Sequence, residues 1–260
     1  MQILPYLLPS LAAFFTACLT FFSGFGLGTL LLPVFALFFP LEAAIGLTAV
    51  VHLANNLFKA ALVGKYADTP TVLRFGLPAL LAAFLGAAAL LKLSHLPPLA
   101  TYQLLGRTLQ VAPVKLVVAI LMIAFAFLEV HPALSGLTLP PGFLPLGGVL
   151  SGFFGGLSGH QGALRSIFLL KCGLSKEGFI STGVVIACLV DISRLAVYVE
   201  GFPHHLIRNN AGPLLATLAA ALLGSFWGRR LLTQITMRFV QILVASLLFL
   251  VALGLGSGVI

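Results

Sequence analysis

A chain of 260 residues with 60% hydrophobic and 8% charged residues lies far from the soluble globular norm of roughly a quarter charged. A mean hydropathy of +1.14 places it among polytopic membrane proteins and leaves no length for a soluble catalytic domain. The formal charge of +8 does not point to nucleic acid, because the 14 Lys and Arg are scattered at loop edges and inside apolar runs and form no basic patch.

In chain order, apolar segments run from about Leu4 to Phe22, Thr29 to Phe39, Glu42 to Val63, Phe75 to Leu93 and Val114 to Phe127. A second set runs from about Phe143 to Phe154, Ala163 to Cys172, Glu177 to Val199, Ala211 to Trp227 and Phe239 to Leu255. The first segment lacks a basic leader and continues into further apolar sequence, so it reads as a span and not as a cleaved signal peptide. Lys65, Arg74, Arg229, Arg230 and Arg238 read as cytoplasmic topology signals. Cys18, Cys172 and Cys188 have neither CxxC spacing nor a metal-site partner and read as small hydrophobes.

The two sets match in order. Shifted by 133 residues, Gly26-Leu27-Gly28-Thr29 falls on Gly159-His160-Gln161-Gly162. Shifted by 135, Glu42 falls on Glu177, Asn56-Leu57-Phe58-Lys59 on Asp191-Ile192-Ser193-Arg194, and Pro78 on Pro213. The sequence therefore predicts an internal duplication, 1–135 and 136–260, forming one all-α membrane domain, with inversion of the second copy favoured by the basic loops.

The second segment of each copy is shorter than the roughly 17 residues of a span, and each follows a glycine break. Half-helices of this kind expose unpaired N–H groups and the positive end of the helix dipole, which suits an anion near the midplane. The candidate binding residues are Gly26, Gly28 and Thr29 at the first break and Ser158, Gly159, His160, Gln161, Gly162 and Arg165 at the second. Arg165 is the foremost, since a cation in the first turn opposes the dipole unless an anion relieves it, or unless it snorkels to the interface. Ser158, Ser166, His160 and Gln161 offer hydrogen-bond donors, and His160 is also able to carry a proton near neutrality. Gly147, Gly148, Gly152, Gly155 and Gly156 read instead as close-packing glycines.

The third segments carry polar sectors: Thr48, His52, Asn55, Asn56 and Lys59 in one copy, Ser181, Thr182, Asp191 and Arg194 in the other. Asn55 and Asn56 join the binding candidates. Asp191 and Arg194, at i and i+3, read as a structural pair, whereas Lys59 has no acid nearby in sequence and either snorkels or faces a path. No enzyme motif is present, neither G-x-S-x-G, H-E-x-x-H nor Walker A, and no cofactor or metal is expected.

The duplicated module resembles the sulfite exporter TauE/SafE family of permeases. The resemblance rests on Ser23-Gly24-Phe25-Gly26-Leu27-Gly28 leading to Pro33, on Leu41-Glu42-Ala43-Ala44-Ile45-Gly46-Leu47-Thr48, and on Leu150 to Gly159 followed by Gly173-Leu174-Ser175-Lys176-Glu177 and Ser181-Thr182. It implies a multi-pass cell-membrane (inner or plasma membrane) transporter of sulfite, a sulfonate or a related organosulfur oxyanion, by alternating access. The partners expected are then a small anion, lipid, and protons or sodium as coupling ion, with a homodimer left open. Two features depart from the family pattern. The triple glycine is missing from both breaks, and His95 to Pro113 forms a longer connection that reads as an amphipathic interfacial stretch. The rival readings are a passive anion channel and a non-transporting membrane enzyme or assembly subunit.

Overall fold

The computed structural model describes residues 3–19, 26–104, 106–131, 137–202, 210–231 and 237–260, without the side chains of 229–231 and 237–241. Ser23, Gly24 and Phe25 of the first motif, and the side chains of Arg229, Arg230 and Arg238, lie outside the described residues. The apolar segments become helices α1 (Leu4–Leu19), α2 (Leu27–Ala36), α3 (Leu41–Val63), α4 (Thr69–Ser94) and α5 (Pro113–Val130). The second set becomes α6 (Leu144–Ser158), α7 (Gly162–Leu169), α8 (Lys176–Gly201), α9 (Ala211–Leu231) and α10 (Met237–Gly256). Among the described residues, α3, α4, α5, α8 and α9 are each long and apolar enough to cross a membrane.

Local chemistry sets the ends. Pro113 opens α5, where its missing N–H costs nothing, and Ser175 caps α8 by accepting from the Gly178 N–H at 3.0 Å. Asp68 caps α4 by accepting from the Thr71 N–H at 2.9 Å, and these Thr71 bonds hold its carboxyl below the usual carboxylate range. Within α4, Pro78 cannot donate to the turn below it, and the preceding Val72–Gly76 widens into a π-turn. Gly26 (φ 116) precedes α2 and Gly159 (φ 84) separates α6 from α7, so both breaks turn on a left-handed residue that glycine alone adopts cheaply.

The helices pair reciprocally. α6 lies on α4 with Gly148, Gly152 and Gly156 against the carbonyls of Phe75, Ala79 and Ala83, so closely that a Cβ at any of the three would collide with the oxygen. α9 lies on α1 in the same way, with Gly224 and Gly228 against the carbonyls of Phe14 and Cys18. Both are parallel small-residue seams in which backbones touch. α3 and α8 run antiparallel: His52 meets Asp191, while Val63, further along α3, meets Ser181, earlier on α8. α5 and α10 are antiparallel as well, because Lys115 reaches the carbonyl of Ile260 and Ala119 lies opposite Gly256. First helices therefore pack on fourth helices of the other set, and third on third and fifth on fifth in opposite directions.

One connection differs from expectation. His95 to Pro113 holds an exposed antiparallel ribbon, β1 (Ala100–Leu104) and β2 (Arg107–Val111), with Leu104 paired to Arg107. Gly106 (φ 75) is left-handed just before β2, and the β-branched and aromatic Thr101, Tyr102 and Thr108 favour pairing over a helix.

Candidate functional site

The break between α6 and α7 faces the crossing of α3 and α8, and at that crossing the ionisable groups gather. Asp191, wholly buried on α8, is the hub. His52 Nδ1 on α3 lies 2.6 Å from its Oδ2, Arg194 contacts Oδ1 through Nε at 3.0 Å and Nη2 at 2.7 Å, and Gln161 Nε2 donates to Oδ1 at 3.2 Å. With the Nδ1 proton given to the carboxylate, His52 Nε2 is left to accept from Asn56 Nδ2 at 3.3 Å. An isolated carboxylate in this interior would be prohibitive, and three donors from three segments make it tolerable.

Gln161 ties the hub to the second break. Its Oε1 accepts from Arg165 Nη1 at 3.3 Å, and its carbonyl accepts from Ser151 Oγ at 2.9 Å. Arg165 is 3% exposed and Lys59 4% exposed, so neither reaches an interface by snorkelling. The two are like-charged neighbours. Gly183 on α8 makes space for Arg165, whose Nε lies 3.4 Å from where a Cβ would stand. Among the described residues, Lys59, Arg165 and Arg194 thus bring more positive charge to the interior than the buried carboxylates Asp191 and Glu129 balance.

His160 stacks flat on Phe125 of α5, ring centroids 5.3 Å apart, and its Nδ1 lies 3.1 Å from Ser158 Oγ. Ser158 Oγ donates its proton to the Phe154 carbonyl at 3.1 Å, and Ser166 Oγ donates to that of Gly162, so both hydroxyl protons go to backbone. Gly159 rests against Arg194: a Cβ there would stand 2.8 Å from Nη1. Gly162 is buried at the start of α7, whose first turn has no side-chain cap.

The first break approaches the same crossing through α2. A Cβ at Gly28 would stand 3.2 Å from His52 Cδ2, so the glycine admits the imidazole. Gly26 and Thr29 are buried beside it, and α2 likewise lacks a side-chain cap. Asn55 lies elsewhere, on the α9 side of α3, where its Oδ1 accepts from Ser225 Oγ at 2.6 Å. The crossing therefore gathers Gly28, Asn56, Gly159, Gln161 and Arg165, with His160 next in the chain to Gly159, and leaves Asn55 outside.

Sequence reasoning gave Asp191 and Arg194 only a structural pairing. The pair is present, but its carboxylate also serves His52 and Gln161. The sequence held a signal: the shift of 135 lays Asn56 on Asp191 and Lys59 on Arg194, and these residues stand on the two helices that cross here.

Neither a curated protein nor a solved structure matches the chain. A family model, Sulfite exporter TauE/SafE, matches residues 10–255. That match takes in both glycine breaks and the α3–α8 crossing, and with a polytopic helical fold around a buried cationic cluster it places the chain in the sulfite exporter TauE/SafE family of membrane transporters.

Proposed function

We propose that the protein is a secondary transporter of a small organosulfur oxyanion, sulfite or a sulfonate, that binds at the second glycine break and crosses by alternating access. One observation carries this reading: among the described residues three cations, Lys59, Arg165 and Arg194, are buried against two buried carboxylates, Asp191 and Glu129, and Arg165 and Arg194 border that break. An anion there offsets the charge and accepts from the uncapped N–H groups of α7. The halves 1–135 and 136–260 are the moving bodies, inverted with respect to one another. The antiparallel α3–α8 and α5–α10 pairs support that assignment, since inverted repeats rock about a site at their interface. A gradient of protons or of sodium drives the cycle.

The reading is tested by thermal unfolding of detergent-purified protein with sulfite, sulfate, sulfoacetate, taurine and carboxylate controls. A bound anion raises the melting temperature by mass action, about 2.7 kcal/mol at a hundred times its Kd. The shift is expected with a sulfur oxyanion and is expected to shrink in Arg165→Ala. Equal stabilisation of wild type and Arg165→Ala removes Arg165 from the site.

A further inference from the structure

We propose that Arg194 and His160 form a subsite that takes a weakly acidic oxyanion together with one proton. The proposal rests on the anion-transport reading above and specifies the form of substrate that the second break accepts.

Among the described residues, three buried polar atoms at the break have no hydrogen-bond partner, Arg194 Nη1 and Nη2 and His160 Nε2, and of these only Nη2 has an ion-pair contact, with Asp191. Their residues are 1% and 2% exposed. The guanidinium is divided, with Nε and Nη2 against Asp191 while Nη1 lies on the opposite edge. Tyr198, whose hydroxyl neighbours the guanidinium, donates its own proton to the Gly156 carbonyl. The Tyr198 oxygen is the other acceptor beside the guanidinium, and Nη1 still has no hydrogen-bond partner and is the atom that meets a ligand.

The Arg194 charge acts on the His160 imidazole, so the two groups are neighbours. Nη1 lies where a Gly159 side chain would begin, 2.8 Å from the Cβ position, and His160 is the next residue. Gly159 also has φ 84, so glycine is doubly required: for the turn and for the approach of the guanidinium. The Phe125 stack and the Ser158 contact fix the ring that carries Nε2.

The protonation of His160 follows from its partner. Ser158 has one hydroxyl proton and gives it to the Phe154 carbonyl, so towards His160 its oxygen only accepts, and Nδ1 must carry hydrogen. In the neutral ring Nε2 is then a lone pair, which repels a bare oxyanion and attracts an O–H. An oxyanion that keeps one proton satisfies both orphans: an anionic oxygen accepts from Arg194 Nη1, and its O–H donates to His160 Nε2. The same proton is equally well shared if it moves to Nε2, leaving an imidazolium beside the fully ionised anion. Either way one proton enters with the ligand and no other bond changes. Hydrogen sulfite has this chemistry. A sulfonate, whose acid is strong, brings no proton.

The ionisable groups around the subsite are Arg194, Asp191 and Tyr198 on α8, Arg165 on α7, His52 and Lys59 on α3, and Glu129, one turn beyond Phe125 on α5; α6 adds only hydroxyls. The cations alone would favour the doubly charged ligand, with affinity rising with pH. Entry of a proton with the ligand gives the opposite sign.

The test uses calorimetric titration of the purified full-length protein with sulfite and with methanesulfonate across the pH range of sulfite ionisation, in buffers of different ionisation enthalpy. Expected for wild type is uptake of one proton per sulfite bound above the acid's own pKa, with affinity falling by about tenfold per pH unit there, and no linked proton with methanesulfonate. His160→Phe keeps the stack on Phe125 and removes the nitrogen; it is expected to abolish the linked proton and weaken sulfite by about 10- to 100-fold. Arg194→Gln is expected to weaken both anions, with its unliganded melting temperature checking the fold; if it does not fold, His160→Phe decides alone. Sulfite binding to wild type that His160→Phe leaves within about twofold, or wild-type affinity that rises with pH, overturns the subsite. Absence of anion binding to wild type overturns the transport reading beneath it.

Discussion

Asp191 concentrates the electrostatics of the interior in one side chain. It is wholly buried and engages His52, Arg194 and Gln161, which come from both sets of helices. Taking away one member of a buried ion pair leaves the other uncompensated, which costs about 3–5 kcal/mol. Asp191→Ala is therefore expected to lower stability by that order in chemical denaturation of the detergent-solubilised protein. A change under about 1 kcal/mol would place the group in water. Asp191→Asn, which keeps the shape and some hydrogen bonds, is expected to cost less. The sequence placed Asp191 beside Arg194 through their spacing, but it gave no access to His52. That contact spans 139 positions and depends on the antiparallel crossing of α3 and α8. Lys59 and Arg165 were ambiguous for a related reason: depth in the bilayer is a property of the assembled bundle, and a long cation near a segment end reads the same whether it is buried or snorkels.

At the scale of elements, the glycine seams hold the bundle in a medium that gives apolar helices no hydrophobic reason to associate. Gly148, Gly152 and Gly156 let α6 touch the α4 backbone, and a side chain there has nowhere to go. Gly152→Leu is expected to destabilise the fold by at least the 1–3 kcal/mol typical of overpacking. Gly142→Ala is the matched control, because nothing lies within 4 Å of its Cβ position. A melting temperature unchanged by Gly152→Leu would mean that the two helices are not in backbone contact. The α4–α6 seam was legible from the glycines of α6, as were the ten helices among the described residues from ten apolar runs, whereas Gly224 and Gly228 of the α1–α9 seam were not singled out. The ribbon between α4 and α5 was not, since two short exposed strands bury too little for alternation to stand out.

At the scale of the molecule, α3 and α8 are one of four helix pairs that join the two sets, with α1–α9, α4–α6 and α5–α10, and the one at which the buried charges meet. Motion of one half against the other must change their contacts, among them the Ser181 Oγ bond to the Val63 carbonyl at 2.5 Å. A Val63→Cys, Ser181→Cys pair, once oxidised, is expected to stop flux while anion binding persists, with flux restored by reduction. Full flux in the cross-linked protein would favour a fixed conducting path. The sequence reads as a duplication from register held over three segments, with basic loops favouring inversion. The directions of α3 against α8 and of α5 against α10 supply the physical support, and they required coordinates because direction in space is not written in residue order.

The claim on which the rest depends is that a sulfur oxyanion binds among Arg165, Arg194 and the second break and is carried across. Counterflow of labelled sulfite into proteoliposomes preloaded with unlabelled sulfite tests it most directly. The account predicts transient, saturable accumulation of label with wild type and its loss with Arg165→Ala, in protein whose melting temperature shows that it is folded. Flux without counterflow, or counterflow that Arg165→Ala leaves unchanged, would contradict it.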